Sequence, residues 1–111
     1  MQESNKILVV DDRPDIRAFL TEFLRLEGFE PIEAVDADTG IEAARREHPA
    51  LILMDIMMPG RDGLSAVQEI RAENEVVGII VMTAYGTEQR AVRAMQVGAD
   101  DYMHKPFDME A

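Results

Sequence analysis

The sequence predicts an α/β fold built on a doubly wound parallel sheet, and three observations carry that prediction. Short apolar runs rich in branched side chains recur as ILVV (7–10), LILM (51–54) and IIVM (79–82). Runs of this kind suit strands buried on both faces. The stretches between them place apolar residues at helical spacing, and the full length of 111 residues suits one domain with one buried core.

Taken in order, ILVV (7–10) is the first strand. The first helix occupies residues 14–27: Ile16, Leu20, Phe23 and Leu24 recur at i, i+4, i+7 and i+8, Pro14 suits a first turn and Gly28 a C-terminal cap. PIEA (31–34) is a weaker second strand, followed by a short amphipathic helix over TGIEAARRE (39–47). LILM (51–54) is the third strand and GLSAVQEIRA (63–72) the third helix. IIVM (79–82) leads to a helix over TEQRAVRAMQV (87–97), closed by Gly98, and DYMH (101–104) is the last strand. Strict strand–helix alternation implies right-handed crossovers and a sheet covered by helices on both faces. No repeat, low-complexity tract or linker divides the chain, so residues 1–111 read as one domain.

Bulk composition narrows the function. With 22 acidic against 11 basic residues the net charge is −11, which disfavours direct binding to nucleic acid or to an anionic membrane by this domain. No apolar run reaches the roughly 20 residues that span a bilayer. The start, MQESNKILVVDD, lacks the basic flank and long apolar stretch of a secretory signal. A cytoplasmic location is the expectation. Without cysteine there is neither a disulfide framework nor a thiolate metal site.

Ligands of open parallel sheets bind outside the carboxyl ends of the strands. The residues found there are Asp11 and Asp12 after ILVV, Asp55 after LILM, Thr83 after IIVM and Lys105 after the fifth strand. One strand-end aspartate is an ordinary turn residue or helix cap. A set on successive β–α units is not. Carboxylates gathered this closely cannot all stay ionised without cations, and Lys105 supplies one positive charge for three negative ones. The donors are all oxygen, so a hard divalent ion fits, Mg²⁺ best, with Mn²⁺ as a substitute. Such a site suits a phosphoryl group, with Asp55 as the nucleophile that becomes an aspartyl-phosphate.

Four stretches, VVDD (9–12), LILMDIMMPGRDG (51–63), VMTAYG (81–86) and GADDYMHKPF (98–107), closely resemble the receiver domain of two-component response regulators. The resemblance implies the chemotaxis-regulator-like fold with strand order 2-1-3-4-5, and Asp55 as phosphoacceptor. It implies that Asp12 binds Mg²⁺ directly, Asp11 through water, and the backbone carbonyl of Met57 as a further ligand. Thr83 and Tyr102 would form the switch pair and Lys105 would bind the phosphoryl group, with a switch face on the helix near 87–97 and the fifth strand. The expected partners are a histidine kinase or phosphotransfer protein upstream and an output domain or downstream protein beyond. The region from Val81 to Tyr102 looks most like receivers attached to transcription factors. A cis bond at Lys105–Pro106, in a turn that aims the ammonium at Asp55, is also expected.

Other readings compete. Asp11 could cap the helix beginning near Pro14, Tyr102 could be a packed aromatic, and Lys105–Pro106 a simple turn. His48 and His104 read as surface and structural residues, and the eight methionines as core fillers apart from Met57 and Met58 beside the site. Arg13 departs from the resemblance: a cation beside a cation site could weaken metal binding or reach phosphoryl oxygens. Haloacid-dehalogenase-type phosphatases share the aspartate, Mg²⁺, threonine and lysine, but they need an acid two residues after the nucleophile, and here that residue is Met57. A phosphoacceptor that turns over slowly, not an enzyme, is therefore expected. A degenerate receiver serving only as a binding module is disfavoured, since all five key side chains are present. After KPF only DMEA remains, the start of a fifth helix capped by Asp108, so a truncated helix is expected, or failing that a homodimer covering the bared sheet face.

Overall fold

The computed structural model describes residues 4–84 and 88–105. Five strands, β1 (Lys6–Val10), β2 (Glu30–Ala34), β3 (Leu51–Asp55), β4 (Gly78–Thr83) and β5 (Asp101–His104), form one parallel sheet in the order β2-β1-β3-β4-β5. Four helices alternate with them: α1 (Pro14–Leu26), α2 (Ala37–Glu47), α3 (Gly63–Glu73) and α4 (Glu88–Val97). This is the doubly wound α/β fold that the alternating pattern predicts. The Lys105–Pro106 bond, the Asp108 cap and the expected fifth helix lie outside the described residues.

Strand periodicity divides the core into two layers. Leu8, Val10, Ile52, Met54, Ile79 and Val81 face a cluster that includes Ile41, Ala66, Val67, Ile70 and Ala94 from α2, α3 and α4. Ile7, Val9, Leu53 and Met82 point the other way, onto Ile16, Leu20 and Leu24 of α1. Alternate residues of a strand face opposite ways, so a continuous apolar run serves both layers at once. Pro31 sits in β2, at the sheet edge, where a residue without an N–H is tolerated.

Local signals set most boundaries. Gly28 stands just past α1 at φ 94°, and the Gly28 and Phe29 N–H groups donate to the Arg25 and Leu24 carbonyls at 3.0 and 2.9 Å. That is the left-handed closure glycine permits. Helix α2 begins two residues before the periodic stretch starting at Thr39, because Asp36 and Thr39 form a reciprocal capping box. Arg13 occupies the N-cap of α1 without a side-chain cap bond, while Pro14 opens the helix. Among the described residues, no helix is long and apolar enough to cross a membrane.

Gly63 ties this architecture to the strand ends. A Cβ there would lie 2.5 Å from the Asp55 carbonyl oxygen and 2.8 Å from Ile56 Cα, both of them backbone atoms that cannot turn aside. Helix α3 thus starts in direct contact with the end of β3. Gly63→Ala is expected to destabilise the fold by about 2 kcal/mol or more, as overpacking against immobile atoms does. Urea denaturation measures it, and a change within about 0.5 kcal/mol, typical of a neutral surface substitution, would contradict the close-approach argument.

Candidate functional site

The carboxyl ends of β1, β3 and β4 and the start of the segment after β5 bring Asp11, Asp12, Asp55, Thr83 and Lys105 to one edge of the sheet. Asp11, Asp12, Asp55 and Thr83 follow or end buried runs, and Lys105 follows the largely exposed edge strand β5, so the sheet fixes each backbone while the side chains meet at the rim. One carboxylate oxygen from each of Asp11, Asp12 and Asp55 lies within 4.8 Å of the others. Asp11 and Asp55 are buried and Asp12 is exposed.

Every oxygen of Asp55 is engaged. Its Oδ1 accepts the Met57 N–H at 2.9 Å, and its Oδ2 accepts from the Lys105 ammonium at 2.9 Å. Asp55 is 0% exposed, because Lys105 and the turn at Met57 close around it. Burial pushes its pKa up, and the charge of Asp11 adds to this. The Met57 N–H and Lys105 work against them without reversing the direction. Burial by itself would lower the Lys105 pKa, but the hydrogen bond to Asp55 and the charges of Asp55 and Asp11 outweigh it and leave the ammonium raised.

Asp11 is used differently. Its Oδ1 accepts the Arg13 N–H at 2.9 Å, as the capping alternative half anticipated, in the turn before α1. Its Oδ2 is buried and lies 3.1 Å from Lys105 Nζ, close enough for ion pairing yet without hydrogen-bond alignment. A buried carboxylate oxygen that is ion-paired but accepts no hydrogen bond, beside two other carboxylates, suits a hard cation. The donor set therefore fits a divalent ion of the Mg²⁺ type.

Arg13 is engaged along the chain. Its guanidinium pairs with Asp15 through Nε at 3.2 Å and Nη2 at 2.8 Å, along the start of α1. Thr83 is 0% exposed, and its Oγ1 lies 3.3 Å from His104 Nδ1 and 3.5 Å from the Met103 carbonyl. Tyr102 is 42% exposed on β5. Met57 is half exposed and Met58 buried beside the site. Ile56, the residue after Asp55, is buried, and with Met57 following no acid stands two residues beyond Asp55.

Three basic or polar contacts were not anticipated from sequence. Arg90 of α4 donates to both oxygens of Asp62 at 2.8 Å and to the Ile56 carbonyl at 3.3 Å, bracing the loop after β3. Asp62 in turn caps α3 through the Leu64 N–H. Arg17 donates to the Asp11 carbonyl at 2.7 Å while pairing with Glu33. His104, read as a surface residue, is exposed but touches the buried Thr83. No local pattern announces such contacts, because each joins residues from separate elements.

Comparison with known proteins agrees with this geometry. Residues 7–111 match the family described as the response regulator receiver domain. The chain is 40% identical over 110 residues to the regulatory protein AtoC of Escherichia coli (strain K12), covering 99% of this chain and 24% of that protein. It is 41% identical over 105 residues to the probable transcriptional regulator ycf27 of Pyropia yezoensis, covering 95% of this chain and 43% of that one. The chain thus spans less than half the length of these curated relatives. Among solved structures, the receiver domain of NtrX from Brucella abortus superposes with a TM-score of 0.86 at 36% identity, over 94% of this chain and 88% of that one. The chemotaxis protein CheY4 of Vibrio cholerae gives 0.87 at 26% identity, over 97% and 92%. A match over nearly the whole chain, on the fold and strand-end cluster described above, means that this chain belongs to the response regulator receiver domain family.

Proposed function

We propose that the chain is a phosphorylation-operated signalling switch whose phosphoacceptor is Asp55, forming a single receiver domain over residues 1–111. The observation that carries the reading is the Lys105 ammonium set between two buried carboxylates, 2.9 Å from Asp55 Oδ2 and 3.1 Å from Asp11 Oδ2. A cation there neutralises the nucleophile's surroundings and can follow charge onto an incoming phosphoryl group. Aspartate phosphorylation and Mg²⁺ binding are general to the family.

In this reading an Asp55 oxygen attacks phosphorus while the bond to the donor atom breaks, an imidazole nitrogen in a phosphohistidine or an oxygen in acetyl phosphate, and the donor group leaves with the electron pair. The Met57 N–H orients the carboxylate by holding Oδ1. Lys105 stabilises charge on the phosphoryl oxygens. Asp11, Asp12, Asp55 and the Met57 carbonyl would hold Mg²⁺, which would supply charge neutralisation for the transferring group. Arg13 stands paired with Asp15 beside this site. Thr83 would turn toward the phosphoryl group, and Tyr102, half exposed at rest, would move inward behind it. A histidine kinase or phosphotransfer protein would be the donor, and an output domain or downstream protein the recipient of the signal, in the cytoplasm. With no acid two residues beyond Asp55, hydrolysis of the acyl phosphate should be slow.

Acetyl phosphate with Mg²⁺ should add one phosphoryl group, seen by intact mass and lost when the metal is chelated. An unmodified protein under those conditions would overturn the assignment. Mg²⁺ should also stabilise the fold by mass action, by about 1.4 kcal/mol at ten times its dissociation constant. Asp12→Ala, which removes the exposed carboxylate of the cluster, should abolish most of that gain. Melting curves that coincide with and without the metal would contradict the ion site.

A further inference from the structure

We propose that His104 is a positioning residue of this switch, holding the Thr83 hydroxyl against β5 at rest and joining it to the Tyr102 ring. The inference rests on the phosphorylation reading above. Its starting point is register: Thr83 lies opposite His104, and Val81 opposite Tyr102, across the β4–β5 pair. Residues two apart on a strand share a face, so Tyr102 and His104 stand side by side. Their rings meet edge to face, with centroids 6.0 Å apart at 89°. On its other side the imidazole places Nδ1 3.3 Å from Thr83 Oγ1.

The hydroxyl is buried, and its other hydrogen-bond neighbour, the Met103 carbonyl, is at the long limit of 3.5 Å. Either the Thr83 O–H donates to a bare Nδ1, or an Nδ1–H donates to Oγ1 while the hydroxyl proton faces Met103. In both tautomers the hydroxyl is held to β5. The backbone reinforces this rung, since the Lys105 N–H donates to the Thr83 carbonyl at 2.6 Å. A threonine that must carry its hydroxyl to a phosphoryl group on Asp55 has to leave His104 first. The contact therefore favours the resting state and slows phosphoryl uptake, and its rupture frees the ring that Tyr102 packs against. The chain thus uses three side chains in series, Thr83, His104 and Tyr102.

The test compares wild type with His104→Ala, His104→Asn and His104→Gln by initial rate of phosphoryl uptake from acetyl phosphate with Mg²⁺. Losing one ordinary hydrogen bond from the resting state should raise the rate about fivefold in His104→Ala. An asparagine amide falls near the Nδ1 position and should stay within about twofold of wild type, whereas a glutamine amide falls near Nε2 and should behave like alanine. Loss of packing alone would move asparagine and alanine together, and that result overturns the proposal. So does an unchanged rate in His104→Ala when the wild type is phosphorylated. A wild type that takes up no phosphoryl group overturns the reading beneath it, and this inference with it. Should the alanine variant fail to fold, the ¹⁵N resonance of His104 Nδ1 decides in the wild type. It must shift when beryllium fluoride with Mg²⁺ is added, and a stationary resonance counts against the latch.

Discussion

Replacing Lys105 with methionine should cost the metal-free protein about 3 kcal/mol of stability at neutral pH. Among the described residues the ammonium is the cation paired with both Asp55 and Asp11, and removing it leaves two buried carboxylates facing each other. Breaking a buried pair from one side costs roughly 3–5 kcal/mol, and the lower end applies because the Lys105 side chain is 19% exposed. The deficit should depend on pH from both sides. On the acid side, Asp55 already has a raised pKa and takes up a proton, so it no longer needs a partner. On the alkaline side, the raised pKa of Lys105 means that its contribution is complete below the unfolded value of about 10.4 and lost as pH rises through the folded one. Wild type and variant should therefore differ most at intermediate pH. Saturating Mg²⁺ should recover much of the loss, since the ion supplies the missing positive charge, yet phosphoryl uptake should stay slower by about tenfold or more for want of a donor. Urea titrations in chelator and in Mg²⁺ measure the first effect, and acetyl phosphate kinetics the second. A variant as stable as wild type without metal would show that the pair is solvated after all.

Which of these features could be read from the sequence follows from how local each one is. Strands buried on both faces are written as continuous apolar runs, so β1, β3 and β4 are visible by composition, and the residues that follow them become visible as a group. Asp11, Asp12, Asp55 and Thr83 are legible for that reason, and Lys105 by its place after β5. Helix α2 is placed two residues late because periodicity begins at Thr39 while the capping box at Asp36 starts the helix at Ala37. Partner choice is the part that sequence withholds. Arg13 stands beside the acidic pair in the chain but pairs with Asp15, while Arg90, 34 residues from Ile56, reaches its carbonyl. A cation on a polar helix face looks the same whether it meets water or braces a loop. His104 is hidden for a related reason: only the parallel register sets it opposite Thr83. The enclosure of Asp55 likewise comes from three segments closing together, and no one of them encodes it.

That enclosure leads to the opposite expectation for Asp55, the proposed nucleophile. Asp55→Asn should abolish the phosphoryl adduct completely, because an amide lacks the nucleophilic oxygen, and at the same time stabilise the metal-free fold. Burial first, and then the charge of Asp11, raise the Asp55 pKa in the folded protein. A carboxyl raised in this way favours the fold while protonated, and that contribution is lost as pH rises through the folded pKa. Asparagine keeps the shape of the protonated group at every pH. Variant and wild type should therefore be about equally stable below the unfolded aspartate pKa of about 3.9, with the variant pulling ahead as pH rises through the folded value and keeping its lead to neutrality. Mg²⁺ should narrow or reverse the lead, since the wild type offers the ion three carboxylates and the variant two. Denaturation in urea across this pH range, in chelator and then in Mg²⁺, resolves each step. If Asp55→Asn is less stable than wild type at neutral pH without metal, the ion pair with Lys105 outweighs burial and the carboxylate is not held at a cost. The expected lead for the variant would mean that the domain keeps this charge at a cost, at the end of a strand that could have closed on an apolar residue, as a site maintained for chemistry does.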